Sequence, residues 1–148
     1  MTVSKLTSLD VSHYFLSKTD DDSGDSISNL KLQKLVYLAQ GFHLAIYDKK
    51  LFNEPIEAWT HGPVIDSLYH KFKEFGSNGI PAVKINLAKY SKNIKNLLEE
   101  IWEVYGQFSA WKLRNITHDH TPWKETSPGS EINLDSMKLY FKTLLKTA

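Results

Sequence analysis

Apolar positions along this chain recur mostly at helical spacing. In the clearest stretch, from Ile94 to Tyr105, they fall at i, i+3, i+4, i+7, i+8 and i+11, the period of one helix face. Similar spacing predicts five further helices: Ser8 to about Lys18, Asn29 or Leu30 to Tyr47, Pro63 to Gly76, Ser109 through Ile116, and Leu134 to about Lys146. The pattern therefore predicts a mainly α protein with about six helices.

The second of these helices is apolar on most of its sides. One face carries five apolar residues at helical spacing, Leu32, Leu35, Ala39, Phe42 and Ile46. A helix that is apolar nearly all round is normally buried, with other elements packed around it. Four polar or small residues interrupt this apolar pattern, and they are Gln33, Lys34, Gln40 and Gly41. We expect the helix to reach the surface or a close neighbour at these positions.

Extended segments are short and few. Leu51-Phe52 and Ile56–Trp59 are separated by a turn-forming stretch that includes Pro55, which predicts a small β-hairpin or a short β element. Val83–Leu87 alternates like a short edge strand. Pro63 is suited to the first position of a helix, where its missing N–H costs nothing. We expect one mainly α domain over residues 1–148, with this minor β element.

Composition narrows the class of protein. The 148 residues suit one domain, and the absence of cysteine excludes disulfides and a cysteine nucleophile. A net charge of +1, from 18 basic and 17 acidic residues, argues against nucleic-acid binding, which relies on neutralising phosphates. The first residues lack the pattern of a signal peptide, and no apolar run suits a bilayer. These features predict a cytoplasmic protein that does not enter a membrane.

One cluster of side chains could bind a metal ion. His118 and His120 flank Asp119, and His61 could join them as the three ligands of a hydrolytic site. The chain lacks the His-Glu-x-x-His spacing, however, and His118 is also suited to the C-terminal end of a helix, where it meets the helix dipole. We therefore predict no catalytic residues, no metal and no cofactor, and retain a metal-dependent hydrolase as the lesser alternative.

The segment around Trp59 points to binding. Gly62 and Pro63 constrain the backbone that follows it. Trp59 is then either a core residue or a partly open anchor held in place before a partner arrives, and the pattern alone leaves both readings open.

Several of these segments together resemble the Panacea domain, also described as the SocA-like or GepA-like antitoxin family. The resemblance covers most of the chain and is strongest from Asn29 to Gly76. The matching blocks are Leu30–Tyr37 around Gln33-Lys34-Leu35, Leu51-Phe52, Glu57-Ala58-Trp59, Gly62-Pro63-Val64, Tyr69, Thr117-His118 and Pro122-Trp123. The resemblance implies an antitoxin that binds and neutralises a cognate protein toxin, often in a prophage setting. In one branch it implies an adaptor that delivers the toxin to a cytosolic protease.

Within that resemblance we predict a partner-binding site without catalytic groups. Aromatic side chains are the commonest anchors of protein interfaces, so we assign Trp59, Tyr69 and Trp123 as the anchors. Lys34 and His118 are assigned as their polar partners.

Overall fold

Seven α-helices and one two-stranded sheet form the regular structure of the residues described. A computed structural model describes residues 6–20 and 26–145. The helices are α1 (Ser8–Leu16), α2 (Asn29–Tyr47), α3 (Asp66–Phe72), α4 (Lys92–Tyr105), α5 (Ala110–His118), α6 (Thr121–Lys124) and α7 (Leu134–Leu145), and the strands are β1 (Glu57–Trp59) and β2 (Gly62–Val64). The mainly α prediction is confirmed. Within these ranges, no helix combines the length and the apolar character needed to cross a membrane.

Helix α2 lies at the centre of the fold. It packs against α1, α3, α4, α5, α7 and β2, and every residue from 32 to 41 is buried. Its first turn is capped by Ser28, whose hydroxyl accepts a hydrogen bond from the Lys31 N–H. The prediction of a buried central helix is confirmed. Ile46 is the exception, because the last turn of α2 leaves the core and exposes 46% of this residue.

The four polar or small residues that interrupt the apolar pattern of α2 are buried against close neighbours; these are Gln33, Lys34, Gln40 and Gly41. Gln40 fastens the segment after α2: its amide donates to the Phe52 carbonyl at 2.8 Å, and its oxygen accepts from the Leu51 N–H at 2.7 Å. Gly41 admits the ring of Phe141, since a Cβ there would lie 2.2 Å from a ring carbon. These residues of α2 therefore set the positions of the segments packed around it.

Strands β1 and β2 form an antiparallel hairpin joined at Thr60 and His61, with Trp59 opposite Gly62. The predicted minor β element is confirmed, but its strands differ from the predicted pair: β1 pairs with Gly62–Val64, and Leu51-Phe52 lies outside both strands. The other edge of β1 is bound by the segment before α7, where Ala58 N–H donates to Ser130 O at 3.0 Å and Gly129 N–H donates to Ala58 O at 2.7 Å. Strand β1 is thus hydrogen-bonded along both of its edges.

Two further predicted elements differ from the structure. Pro63 lies in β2, and the helix starts only at Asp66, because Gly62 has a non-helical φ of 115° and Gln33 Oε1 accepts the Ile65 N–H at 2.8 Å. The predicted strand Val83–Leu87 is also wrong: the segment lacks strand pairing and ends in a 3-10 turn, Leu87–Lys89. Asn86 starts that turn by accepting a hydrogen bond from the Ala88 N–H.

The fold predicts that Gln40→Met is strongly destabilising. The substitution removes the hydrogen bonds that Gln40 makes with the Leu51 N–H and the Phe52 carbonyl, and each such loss in a buried site costs about 1–3 kcal/mol. Urea unfolding should show a loss of roughly 2–5 kcal/mol, whereas the exposed Gln107→Met control should change stability by less than about 0.5 kcal/mol. Equal stability of the two variants would contradict this role for Gln40.

Candidate partner-binding site

A cleft of about 840 Å³ opens beside the hairpin. The first turns of α2 form one side of it, and the hairpin, α3 and the Pro128-Gly129 turn form the others. Its lining residues are Asn29, Leu30, Gln33, Lys34, Ala58, Trp59, Thr60, His61, Val64, Tyr69, Lys73, Gly76, Ser77, Pro128 and Gly129. This volume is in the range of small-molecule and peptide side-chain pockets.

Trp59 and Tyr69 form an aromatic wall of the cleft. Their ring centroids are 5.0 Å apart in an edge-to-face arrangement, a favourable geometry for aromatic pairs. The Trp59 indole N–H donates to Glu57 Oε1 at 2.9 Å, which fixes the ring. Trp59 is half-buried and Tyr69 is 37% exposed. Both rings are therefore held in position and remain partly open to solvent, and the assignment of Trp59 as an anchor stays a prediction.

Trp123 and His118 lie behind the hairpin and are not among the lining residues of the cleft. Their rings stack with centroids 4.1 Å apart and planes 9° apart. The Trp123 indole N–H donates to the Trp59 carbonyl at 2.8 Å, so this stack fixes the strand that carries the aromatic wall. Burial, followed by the charges of Arg114 and Lys34, lowers the pKa of His118. His118 also ends α5, as predicted.

Lys34 forms part of the floor of the cleft, although its side chain is fully buried. Its Nζ donates to the Pro63 carbonyl at 3.3 Å. Gly62 makes room for its side chain: a Cβ at residue 62 would lie 2.7 Å from Lys34 Cε and 3.1 Å from Thr117 Oγ1. Lys34 is therefore not a surface residue, and its assignment as a polar partner residue stays a prediction.

The surroundings of Lys34 disfavour its charged form. Burial first, and the positive charge of Arg114 second, lower its pKa from 10.5 to about 7. Lys73 and His61 add further basic groups to the cleft, and within the described part of the chain its lining contains no Asp or Glu. The cleft therefore has apolar walls and basic groups that lack an acidic counterpart in its lining.

A second exposed cluster lies beside the hairpin turn and was not predicted from the sequence. Trp111 on α5 is 56% exposed. The Arg114 guanidinium lies 4.3 Å from its ring centroid, and Arg114 Nε donates to His61 Nδ1 at 3.1 Å. The signal that could have revealed this cluster is the i, i+3 spacing of Trp111 and Arg114, which makes them neighbours on one helix face.

The three histidines of the metal hypothesis do not come together. His120 points into the core, where a hydrogen bond of 2.9 Å joins its Nδ1 to the Tyr37 hydroxyl, and burial lowers its pKa to about 4. His118 stacks on Trp123, while His61 contacts Arg114 at the surface. Among residues 6–20 and 26–145, no three His, Asp or Glu side chains are placed to hold a metal ion.

The described residues form a mainly α fold with a cleft beside the hairpin, and comparison with known proteins identifies the family. Residues 32–124 match the family described as "Antitoxin SocA-like, Panacea domain". The chain belongs to this family of SocA-like antitoxins. It is 32% identical over 120 residues to Antitoxin SocA from Caulobacter vibrioides (strain NA1000 / CB15N), a match that covers 73% of this chain but only 64% of that relative. No solved structure matches the chain significantly.

The burial of Lys34 predicts that Lys34→Met stabilises the fold. Lowering a lysine pKa from 10.5 to about 7 corresponds to on the order of 5 kcal/mol of lost stability at and below pH 7. From pH 10.5 down to 7 the unfolded chain binds this proton and the folded chain does not, so wild-type stability falls as pH falls. Urea unfolding should therefore show a more stable variant at pH 7.

The advantage of the variant should shrink by roughly 2 kcal/mol between pH 7 and pH 9, as the penalty in the wild type declines. The exposed Lys73→Met is the matched control and should show no such pH-dependent difference. A Lys34→Met variant that is less stable than the wild type at pH 7 would contradict the burial of an uncompensated amine.

Proposed function

We propose that this protein is a cytoplasmic antitoxin that neutralises a cognate protein toxin by binding it directly through the cleft beside the hairpin. The toxin would place side chains against the aromatic wall of Trp59 and Tyr69. Binding would then cover or distort the active surface of the toxin, without chemistry on the part of the antitoxin.

The arrangement of the aromatic wall carries this proposal. Interfaces depend on a few aromatic anchors in pockets, and anchors held in place before binding lose less conformational entropy when the partner arrives. Glu57 fixes the Trp59 ring, and Trp123 fixes the backbone beneath it. Membership of the SocA-like antitoxin family supports a toxin as the kind of partner.

Substitution of the wall should abolish neutralisation and leave the fold intact. We expect Trp59→Ala and Tyr69→Ala each to weaken toxin binding by at least about 2 kcal/mol, roughly thirtyfold, because each removes a central aromatic anchor. The measurement is growth of cells that co-express each variant with the product of the neighbouring open reading frame, followed by titration of the purified pair.

Leu139→Ala on α7 is the matched control, since Leu139 is an apolar residue that is 65% exposed and is absent from the lining of the cleft. It should neutralise like the wild type. Circular dichroism separates the two readings of Trp59. If Trp59→Ala is unfolded, the residue is structural and the assignment of Trp59 as an anchor is wrong. If folded Trp59→Ala and Tyr69→Ala both restore growth fully, the cleft is not the binding site.

The same cells distinguish simple occlusion from delivery to a protease. Occlusion predicts an unchanged toxin half-life when the antitoxin is present. The adaptor alternative predicts that toxin levels fall in the presence of this protein and recover when the host protease is removed.

A further inference from the structure

The basic side of the cleft lacks an acidic partner within its own lining. Lys34 on α2, Lys73 after α3 and His61 at the hairpin turn all line it. Arg114 and His118, both on α5, lie close enough to influence Lys34 or to be influenced by it. Glu57 on β1 is not a lining residue, and its carboxylate accepts the Trp59 indole N–H.

Lys34 has unused hydrogen-bonding capacity. A lysine ammonium carries three donors, and the contact identified for Nζ within the described residues is the 3.3 Å hydrogen bond to the Pro63 carbonyl, which is long for a charged donor. A buried amine with so few partners is costly. A carboxylate entering from the cleft would supply both the missing acceptor and the missing negative charge.

We propose that Lys34 is a carboxylate receptor at the floor of the cleft, where it binds an acidic group of the partner protein while Trp59 and Tyr69 hold the adjacent apolar side chain. This inference rests on the proposed function and adds the chemistry of the bound segment: a carboxylate next to an apolar residue. The carboxylate is either a Glu or Asp side chain or a chain terminus.

The charge of the cleft favours this occupant over others. An acidic segment meets complementary charge at Lys73 and favours the protonated form of Lys34, whereas a basic segment would be repelled by Lys73 and would disfavour that form further. The aromatic wall and the neighbouring apolar lining suit a side chain such as Leu. Binding would draw Lys34 into its protonated form, so proton uptake should accompany association near neutral pH.

Short peptides test the site without knowledge of the toxin. N-acetyl-Leu-Glu-amide carries a side-chain carboxylate and N-acetyl-Leu-Leu a terminal one, and their neutral counterparts are N-acetyl-Leu-Gln-amide and N-acetyl-Leu-Leu-amide. NMR titration of the full chain at pH 6.5 should show at least one carboxylate peptide binding roughly tenfold more tightly than its neutral counterpart. Which peptide shows the preference identifies the source of the carboxylate.

Lys34→Met should reduce that preference to less than about twofold and leave the affinity for the neutral peptides unchanged, since the aromatic wall is untouched. Lys92→Met on α4 is the exposed control, because Lys92 does not line the cleft, and it should keep the preference. In the wild type, affinity for the carboxylate peptide should stay constant below about pH 7 and fall toward that of the neutral peptide by pH 9. Burial lowers the pKa of His118 below its ordinary value, so the same profile in Lys34→Met should be flat above pH 7.

The proposal is overturned if both carboxylate peptides bind no more tightly than their neutral counterparts, or if the preference survives in Lys34→Met. These outcomes are independent of toxin neutralisation. If the carboxylate preference is found but growth is not rescued, the carboxylate site stands and the proposed antitoxin function is wrong. If growth is rescued but the preference is absent, the antitoxin function stands and the carboxylate site is wrong.

Discussion

The structure depends on the burial of polar side chains along the central helix. Helix α2 has neighbours on nearly all sides, so each polar group between residues 32 and 41 must find its partner inside the protein. Gln40 binds both Leu51 and Phe52, and Gln33 binds Ile65. These hydrogen bonds determine where the chain after α2 runs and where α3 begins. Lys34 is the exception, since within residues 6–20 and 26–145 the hydrogen bond of its amine is a long one, to the Pro63 carbonyl.

The same constraint shapes the cleft. Lys34 occupies the space beneath the hairpin and requires a glycine at position 62, whose backbone conformation places Pro63 in a strand. On the other side of the hairpin, the Trp123 indole binds the Trp59 carbonyl. The hairpin is thus fixed from both sides, and it presents the Trp59 ring to solvent at a defined angle to Tyr69. The rigid aromatic surface above a buried basic group therefore follows from the way in which buried polar groups of the core find their hydrogen-bond partners.

Helical period alone was sufficient to predict α2 and α4, because their apolar positions repeat over many residues. It failed at Pro63, where a long-range hydrogen bond from Ile65 to Gln33 overrides a local preference for helix. The cleft itself could be anticipated only in part. The segment containing Trp59 and Tyr69 could be recognised in the sequence from its aromatic residues and from Gly62 and Pro63. The burial of Lys34 depends on the packing of segments that are distant along the chain, so it produces no periodic pattern in the sequence.

Lys34 is an uncompensated buried amine in the floor of the cleft, and the pH titration of its side-chain NMR signals in the free protein tests this directly. The signals are assigned by their absence in Lys34→Met. We expect a midpoint at about pH 7, far from the midpoint near 10.4 that an ordinary lysine shows. A Lys34 signal that titrates only above pH 10 would contradict it.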